Sequence, residues 1–393
     1  MSSPERWLLP EGIEEVLPPE ARQLESIRRR VLDLFVSWGY EPVMPPLIEY
    51  LEALLTGVGK ELDLQTFKLT DQLSGHTMGL RADITPQAAR IDAHYLKRKG
   101  PARLCYIGPA LRTRPDDFGG TREPLQLGAE LFGHSGPASD AEALRLMLEM
   151  ISVVGIDKVH VDLGNVGLFR GLTTSAGLDR KQEWELFEAM QRKAESEIRT
   201  MLEVWQVKDS SKTMLLALTT LNGSSEILVE ARKIFASAPK PVLEALDNLD
   251  EVVRLIKRDL PAQELFIDLA ELSGYGYHTG IVFSVFVPGH GKAIANGGRY
   301  DGIGEAFGRN RSATGFGADL RHLNRLAANS DDVLTGILAP NEDDAALRKT
   351  MVQLRAAGDR VVQLLPDQEV IEEELGCDRK LVKSGSKWKV EKL

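Results

Sequence analysis

The chain has 393 residues, 43% of them hydrophobic and 27% charged, with a formal net charge of -10. That length exceeds one ordinary core and fits two or three domains, and the acidic balance argues against a surface built for indiscriminate grip on a phosphate backbone. The two cysteines, Cys105 and Cys377, form no CxxC pair and no metal-ligand cluster, so a disulfide scaffold is not expected and a reducing cytoplasm is the natural compartment. The opening MSSPERWLLPEG lacks a basic segment followed by an apolar run, so no secretory signal is expected there. No stretch reaches the ~18 apolar residues needed to span a membrane.

In chain order, Leu24, Ile27, Val31, Phe35 and Trp38 recur at helical spacing and predict an amphipathic helix over 20–38, stopped by Gly39. EPVMPPLIEY must be extended, because its prolines deny it a helix. QTFKLT and TMGLRAD read as two strands of a hairpin joined by DQLSGHT. TPQAARIDAHYLKR reads as a helix with Thr85 as N-cap and Pro86 at its first position. RLCYIGPALR and PLQLGAELFG read as strands joined by the loop RPDDFGGTRE. SDAEALRLMLEMISVVG reads as a helix capped by Ser139, and KVHVDLGN as a strand. From about 165 to 260 the apolar rhythm is helical, broken by turn signals at Asn222-Gly223, Pro239 and Pro241. Strand signals return in LFIDLAEL, YHTGIVFSVFVP and KAIANGGRYDGI, and a helix starts near Asp319 and runs through LRHLNRLAANS. The tail from about 332 reads β-α-β with a late strand near RKLVKSG, and the basic end KSGSKWKVEK reads as a solvated terminus. An α+β chain is expected: an antiparallel sheet with flanking helices over 1–165 and 261–328, a helical insertion at 166–260, and a small α/β region at 332–393.

Common nucleotide and catalytic signatures fail on inspection. GVGKEL at 57–62 has Leu54 where a phosphate loop needs glycine and Glu61 where it needs Ser or Thr. GYGYHTG has the wrong spacing for a dinucleotide fingerprint, and there is no GxSxG elbow. The seven histidines show no HExxH or His-x-His spacing, so no metal is expected. A lone histidine such as His134 is better read as structural.

Four segments matter together: LRADITP; YIGPALRTRPDDFGGTREPLQLGAELFG; SGYGYHTGIVFSVF with NGGRYDG; and ATGFGADLRHL. In that order and spacing, over about residues 5–325, they resemble histidyl-tRNA synthetase, a class II aminoacyl-tRNA ligase whose catalytic fold is an antiparallel sheet with flanking helices and which dimerises. The resemblance implies a pocket for histidine that includes Arg112, with Asp83 and Thr85 at the turn that helps hold the amino acid. Gln126 and Glu130 fall on the QxGxE strand, and Tyr275 and Tyr277 in the imidazole-binding loop. Strand positions i and i+4 share a face, so Gln126 and Glu130 can line one pocket. A carboxylate there suits an ammonium or imidazole N–H. The competing reading makes both plain polar residues on a solvated strand face.

The departures bear on activity. Adenylate formation needs cations around the attacked phosphate. The family's FRxERP motif is here LRTRP, which keeps Arg112 but is one residue shorter and lacks the acidic member. The family's histidine-loop arginine aligns with Ser273. The arginine that stacks on adenine aligns with His322, unless a one-residue slip restores Arg321. Losing one such donor costs on the order of 10²–10³ in rate. The tail is also shorter than the roughly hundred-residue anticodon-binding domain of the ligase. A chain with these features resembles the regulatory subunits of short-form ATP phosphoribosyltransferase. That resemblance implies a non-catalytic protein without a cofactor, partnered by a catalytic subunit and by itself in a hetero-octamer, allowing activity in histidine biosynthesis and transmitting feedback inhibition by histidine. Nucleic-acid binding is not expected on this reading. Two alternatives stand beside it: a divergent histidine–tRNA ligase, and an RNA- or protein-sensing paralogue. The site of regulatory histidine, the inherited pocket or a subunit interface, stays open.

Overall fold

The computed structural model describes residues 7–57, 60–115, 120–327, 335–369 and 372–393. It divides into two units, Met1–Ala328 and Asn329–Leu393. Parts of the opening segment, of GVGKEL, of the RPDDFGGTRE loop and of the AANS stretch lie outside the described residues.

The first unit opens with α1 (Pro18–Ser37), which buries Leu24, Ile27, Val31 and Phe35. Its prolines sit where a missing N–H costs nothing, and Gly39, at φ +82°, takes the left-handed backbone that ends it. The proline-rich stretch yields only β1 (Glu41–Pro42) and β2 (Ile48–Tyr50). Then come α2 (Leu51–Leu54), α3 (Lys60–Gln65) and the expected hairpin, β3 (Phe67–Thr70) with β4 (Thr77–Leu80), which β2 joins on its far side.

Next, α4 (Thr85–Arg90) is extended by a π-helical turn, Ile91–Leu96. Thr85 is not its N-cap: that place belongs to Ile84, and the Thr85 hydroxyl is engaged 2.8 Å from the Tyr106 hydroxyl. The acceptor is supplied instead by Asp83, which takes the Thr85 N–H at 2.9 Å. β5 (Ala102–Pro109), β6 (Leu125–Phe132), α5 (Pro137–Val154) and β7 (His160–Asn165) follow. Ser139 does not cap α5 either. Gly136 does, and the buried Ser139 hydroxyl is held by the Gly136 carbonyl oxygen (2.8 Å) and by Arg299 (2.9 Å).

The helical stretch comprises α6 (Val166–Ala176), α7 (Arg180–Gln191), α8 (Glu195–Val204), α9 (Asp209–Thr220), β8 (Asn222–Gly223), α10 (Ile227–Ile234) and α11 (Lys240–Asp259). Asn222-Gly223, expected as a turn, is instead a short strand on β9 (Phe266–Asp268). The buried Leu221 pins it there, accepting the Leu269 N–H at 3.1 Å. β10 (Ile281–Phe286), β11 (Ala295–Arg299), α12 (Ile303–Ala306), β12 (Ala313–Asp319) and α13 (Leu320–Leu326) complete the unit. Asp319 does cap α13, accepting the Arg321 N–H at 3.0 Å.

The main sheet runs β1-β5-β6-β12-β11-β10-β7-β9-β8. Its six middle strands are antiparallel throughout, as the sequence implied. The edges differ: β1 is parallel to β5, and β9 to β7. The second pairing follows because six helices intervene between β7 and β9, and a crossover of that kind returns the chain in the same direction. Alternation along β6 sends Leu127 and Ala129 into the core beneath α1 and α5, while Gln126 and Glu130 take the opposite face. On that core side Phe35 of α1 meets Phe316 of β12 edge-on at 5.9 Å.

The second unit consists of β13 (Ile337–Ala339), α14 (Ala345–Ala356), β14 (Val361–Gln363), α15 (Glu372–Leu375), β15 (Arg379–Ser384) and β16 (Lys387–Lys392), in sheet order β14-β13-β15-β16. The basic end is therefore not a loose terminus. KWKVEK alternates, placing Trp388 in the small core with Leu347, Met351 and Leu381 while its lysines face water. Lys383 lies 5.7 Å above the Trp388 ring, and Asp344 accepts from the indole N–H at 3.2 Å. Among the described residues, no helix is long and apolar enough to cross a membrane.

Candidate functional site

Motif glycines build the site's floor. Glu130 on β6 stands opposite Gly315 of β12, and Gly128 opposite Tyr106 of β5. A Cβ on Gly315 would lie 1.8 Å from a Glu130 carboxylate oxygen, and one on Gly128 would lie 2.3 Å from the Tyr106 hydroxyl oxygen. The glycines of QLGAE and TGFG thus allow two polar side chains to lie flat across neighbouring strands. Above them is a cavity of about 890 Å³, lined by Asp83, Thr85, Arg112, Gln126, Glu130 and Tyr277 among others.

Six of the seven expected pocket residues therefore meet in one place. Glu130 is 1% exposed and accepts from the hydroxyls of Tyr106 at 2.9 Å and Tyr300 at 2.5 Å. Burial pushes its pKa up to about 8; the two hydroxyl donors pull it back only in part, and the neighbouring Asp83 adds to the rise. The solvated strand face considered from sequence is thus excluded for Glu130. Gln126 bridges to the turn before α4. Its amide nitrogen donates to Asp83 at 2.7 Å, and its oxygen accepts from the Ile84 N–H at 2.9 Å. Tyr277 stacks on Tyr300 with ring centroids 5.0 Å apart.

Tyr275 is the exception. It does not line the cavity: its ring stacks on Phe187 of α7 at 5.0 Å, and its hydroxyl donates to Glu183. Gly274, at φ +65°, turns the chain between Ser273, which lines the cavity, and Tyr275, which does not.

Three contributors were not singled out from the sequence. Tyr106 and Tyr300 hold the Glu130 carboxyl, and His278 lines the wall with a ring that burial keeps at a pKa of about 4, hence neutral. The glycines opposite Tyr106 and Glu130 were the available signal. The rest of GGRYDG is scaffolding. Arg299 bonds Asp140 at 2.8 Å and Asp301 at 3.1 Å, tying β11 to α5. Arg311 and Asp92, both buried, pair at 2.8 Å behind the site.

The rim is cationic. Arg112, Lys292, Arg321 and Arg325 line it together with the ring pair His290–His322, 5.5 Å apart. Carboxylates meet this rim: Arg321 pairs with Glu123 at 3.3 Å, and Arg325 with Glu14. Ser273 and His322, the positions that replace the ligase's arginines in the alignment of motifs, both line the cavity. Among the described residues no group of three or more His, Cys, Asp or Glu could hold a metal. Chemically, the floor offers oxygen acceptors and stacked rings to a small cationic or N–H-bearing ligand.

Comparison with known proteins agrees with this geometry. The family model for histidyl-tRNA synthetase matches residues 12–323, and that for the ATP phosphoribosyltransferase subunit HisZ C-terminal domain matches 335–391. An ATP phosphoribosyltransferase regulatory subunit of Nitrosococcus oceani is 53% identical over 98% of this chain and 97% of its own. One from Thioalkalivibrio sulfidiphilus is 52% identical over the whole of both chains. Among solved structures, an ATP phosphoribosyltransferase regulatory subunit/histidyl-tRNA synthetase from Bacillus halodurans superposes with TM-score 0.82 at 27% identity, covering 95% of this chain and 97% of that one. A histidyl-tRNA synthetase from Nostoc shares the fold, with TM-score 0.80 at 20% identity over 96% and 91% of the two chains. The chain belongs to the family of ATP phosphoribosyltransferase regulatory subunits, on the fold of histidyl-tRNA synthetase.

Proposed function

We propose that this chain is the non-catalytic regulatory subunit of a short-form ATP phosphoribosyltransferase in the first step of histidine biosynthesis. It activates a separate catalytic subunit in a cytoplasmic hetero-octamer, with phosphoribosyl transfer residing in that partner, and it mediates feedback inhibition by histidine. The observation that carries this is the end-to-end match to regulatory subunits, including a C-terminal unit of their own type rather than a ligase's.

We further propose that histidine occupies the cavity over Glu130. Acceptors on the buried Glu130 and the half-buried Asp83, the latter oriented by Gln126, suit the ammonium and imidazole N–H groups, and Tyr277 offers a ring face. A ligand held there regulates only through differential affinity for the states of the assembly. Ser273 and His322 argue against retained ligase chemistry, since neither can supply a permanent positive charge to an α-phosphate. Purified chain given histidine, ATP and pyrophosphate should show calorimetric histidine binding but no ATP–pyrophosphate exchange. Robust exchange would overturn the assignment.

A further inference from the structure

The loop Leu272–Gly280 has two sides. Ser273, Tyr277 and His278 line the cavity. Between them Tyr275, 6% exposed, is gripped by the helical stretch. Phe169 of α6 meets its ring edge-on at 5.3 Å, and Phe187 of α7 stacks on it at 5.0 Å. The Arg170 guanidinium lies 5.0 Å over the ring and donates to the Tyr275 and His278 carbonyl oxygens, each at 3.2 Å. The Tyr275 hydroxyl donates to Glu183 in the first turn of α7. One face of a short loop is thus cavity wall, and the other is clamped to two helices none of whose own residues lines the cavity.

A tyrosine placed only to fill space would not need a cation over its face, a carboxylate on its hydroxyl and an arginine on its carbonyl. Each of these bonds depends on where the loop sits. The aromatic contacts are packed against rigid helices, so a shift of the loop is passed on rather than absorbed. On the cavity side the loop is equally committed. Tyr277 stacks on Tyr300, whose hydroxyl holds Glu130. A ligand that pairs with Glu130 and rests on Tyr277 therefore sets the position of the loop that carries Tyr275.

We infer that Tyr275 is a positioning residue, not a ligand contact: it ties the wall of the amino-acid cavity to α6 and α7, so that occupancy of the cavity is transmitted to the helical stretch. The inference rests on histidine being the cavity's ligand. Its test keeps the two claims apart, because calorimetry reports the pocket and hydrogen exchange reports the link.

In the full-length wild-type chain, saturating histidine should slow amide exchange in the 272–280 loop. It should also slow exchange across Glu183–Gln191 by at least about fivefold, the size of a modest local stabilisation. Tyr275→Phe keeps the packed ring and removes only the hydroxyl, and Glu183→Gln removes only the charge. Each should bind histidine with affinity changed by less than about tenfold, the range for one lost hydrogen bond, while the response of α7 disappears. Exchange in α14 serves as the control and should not respond. Wild-type chain that binds histidine with α7 unresponsive would overturn the link, as would Tyr275→Phe retaining the full α7 response. Absence of any histidine heat would overturn the pocket and, with it, the link.

Discussion

Glu130→Gln separates the electrostatic cost of the site from its shape. The carboxyl is fully buried, and its pKa is pushed from 4.5 to about 8. A raised pKa means that the folded chain holds a proton which the unfolded chain has released. This group's contribution to stability is therefore intact below pH 4.5, lost progressively as pH rises to about 8, and constant above. Each unit in that window is worth about 1.4 kcal/mol, so the full penalty is on the order of 5 kcal/mol at alkaline pH. Glutamine keeps the volume and cannot ionise, but it offers only one oxygen to two tyrosine hydroxyls, which costs about 1 kcal/mol at every pH. The variant should thus be close to wild type in stability near pH 5 and more stable above pH 8. The difference should climb by about 1.4 kcal/mol per unit between. Urea unfolding of both proteins, followed by tryptophan fluorescence from pH 5 to 9, measures this directly. Parallel pH profiles would instead place the Glu130 carboxyl in contact with solvent, with no raised pKa.

Three further outcomes follow from the same geometry. Histidine binding at pH 7 should release close to one proton, because Glu130 is then mostly neutral and a bound ammonium demands its ionised form; calorimetric enthalpies should vary with the ionisation heat of the buffer. Gly315→Ala puts a methyl 1.8 Å from the Glu130 oxygen and 2.6 Å from the Ala129 carbonyl oxygen; it should cost about 1–3 kcal/mol in denaturant titration and abolish the histidine heat. Arg311→Met strands the buried Asp92 carboxylate and should destabilise the first unit by about 3–5 kcal/mol, read as a lower urea midpoint at pH 7.

Periodicity carried most of the fold. Leu24, Ile27, Val31 and Phe35 named α1, and the alternation of LQLGAELF named β6, because one face of each is apolar. What periodicity could not carry were choices made by distant partners. Thr85 and Ser139 looked like caps, but tertiary contacts with Tyr106 and Arg299 claimed their hydroxyls. KWKVEK looked like a charged end, but its single buried tryptophan makes it a strand. The site was legible in the same uneven way. Gln126 and Glu130 follow from i, i+4 spacing on a strand, and Asp83 and Thr85 from their place in the motif. The inward turn of Tyr277 and outward turn of Tyr275 follow their aromatic partners, Tyr300 for the first and Phe187 of α7 for the second, which local sequence does not encode. Tyr106 and Tyr300 were hidden for a related reason: their importance comes from a sheet order that sets β5 beside β6 and β11 two strands away on its other side.

The most direct test is an assay of phosphoribosyl transfer by a short-form catalytic subunit, alone and with this chain, with and without histidine. The chain should raise the rate, histidine should lower it again, and Glu130→Ala should weaken the inhibition while sparing the activation. A catalytic subunit indifferent to the chain, beside histidine-charged tRNA formed by the chain itself, would contradict the regulatory role.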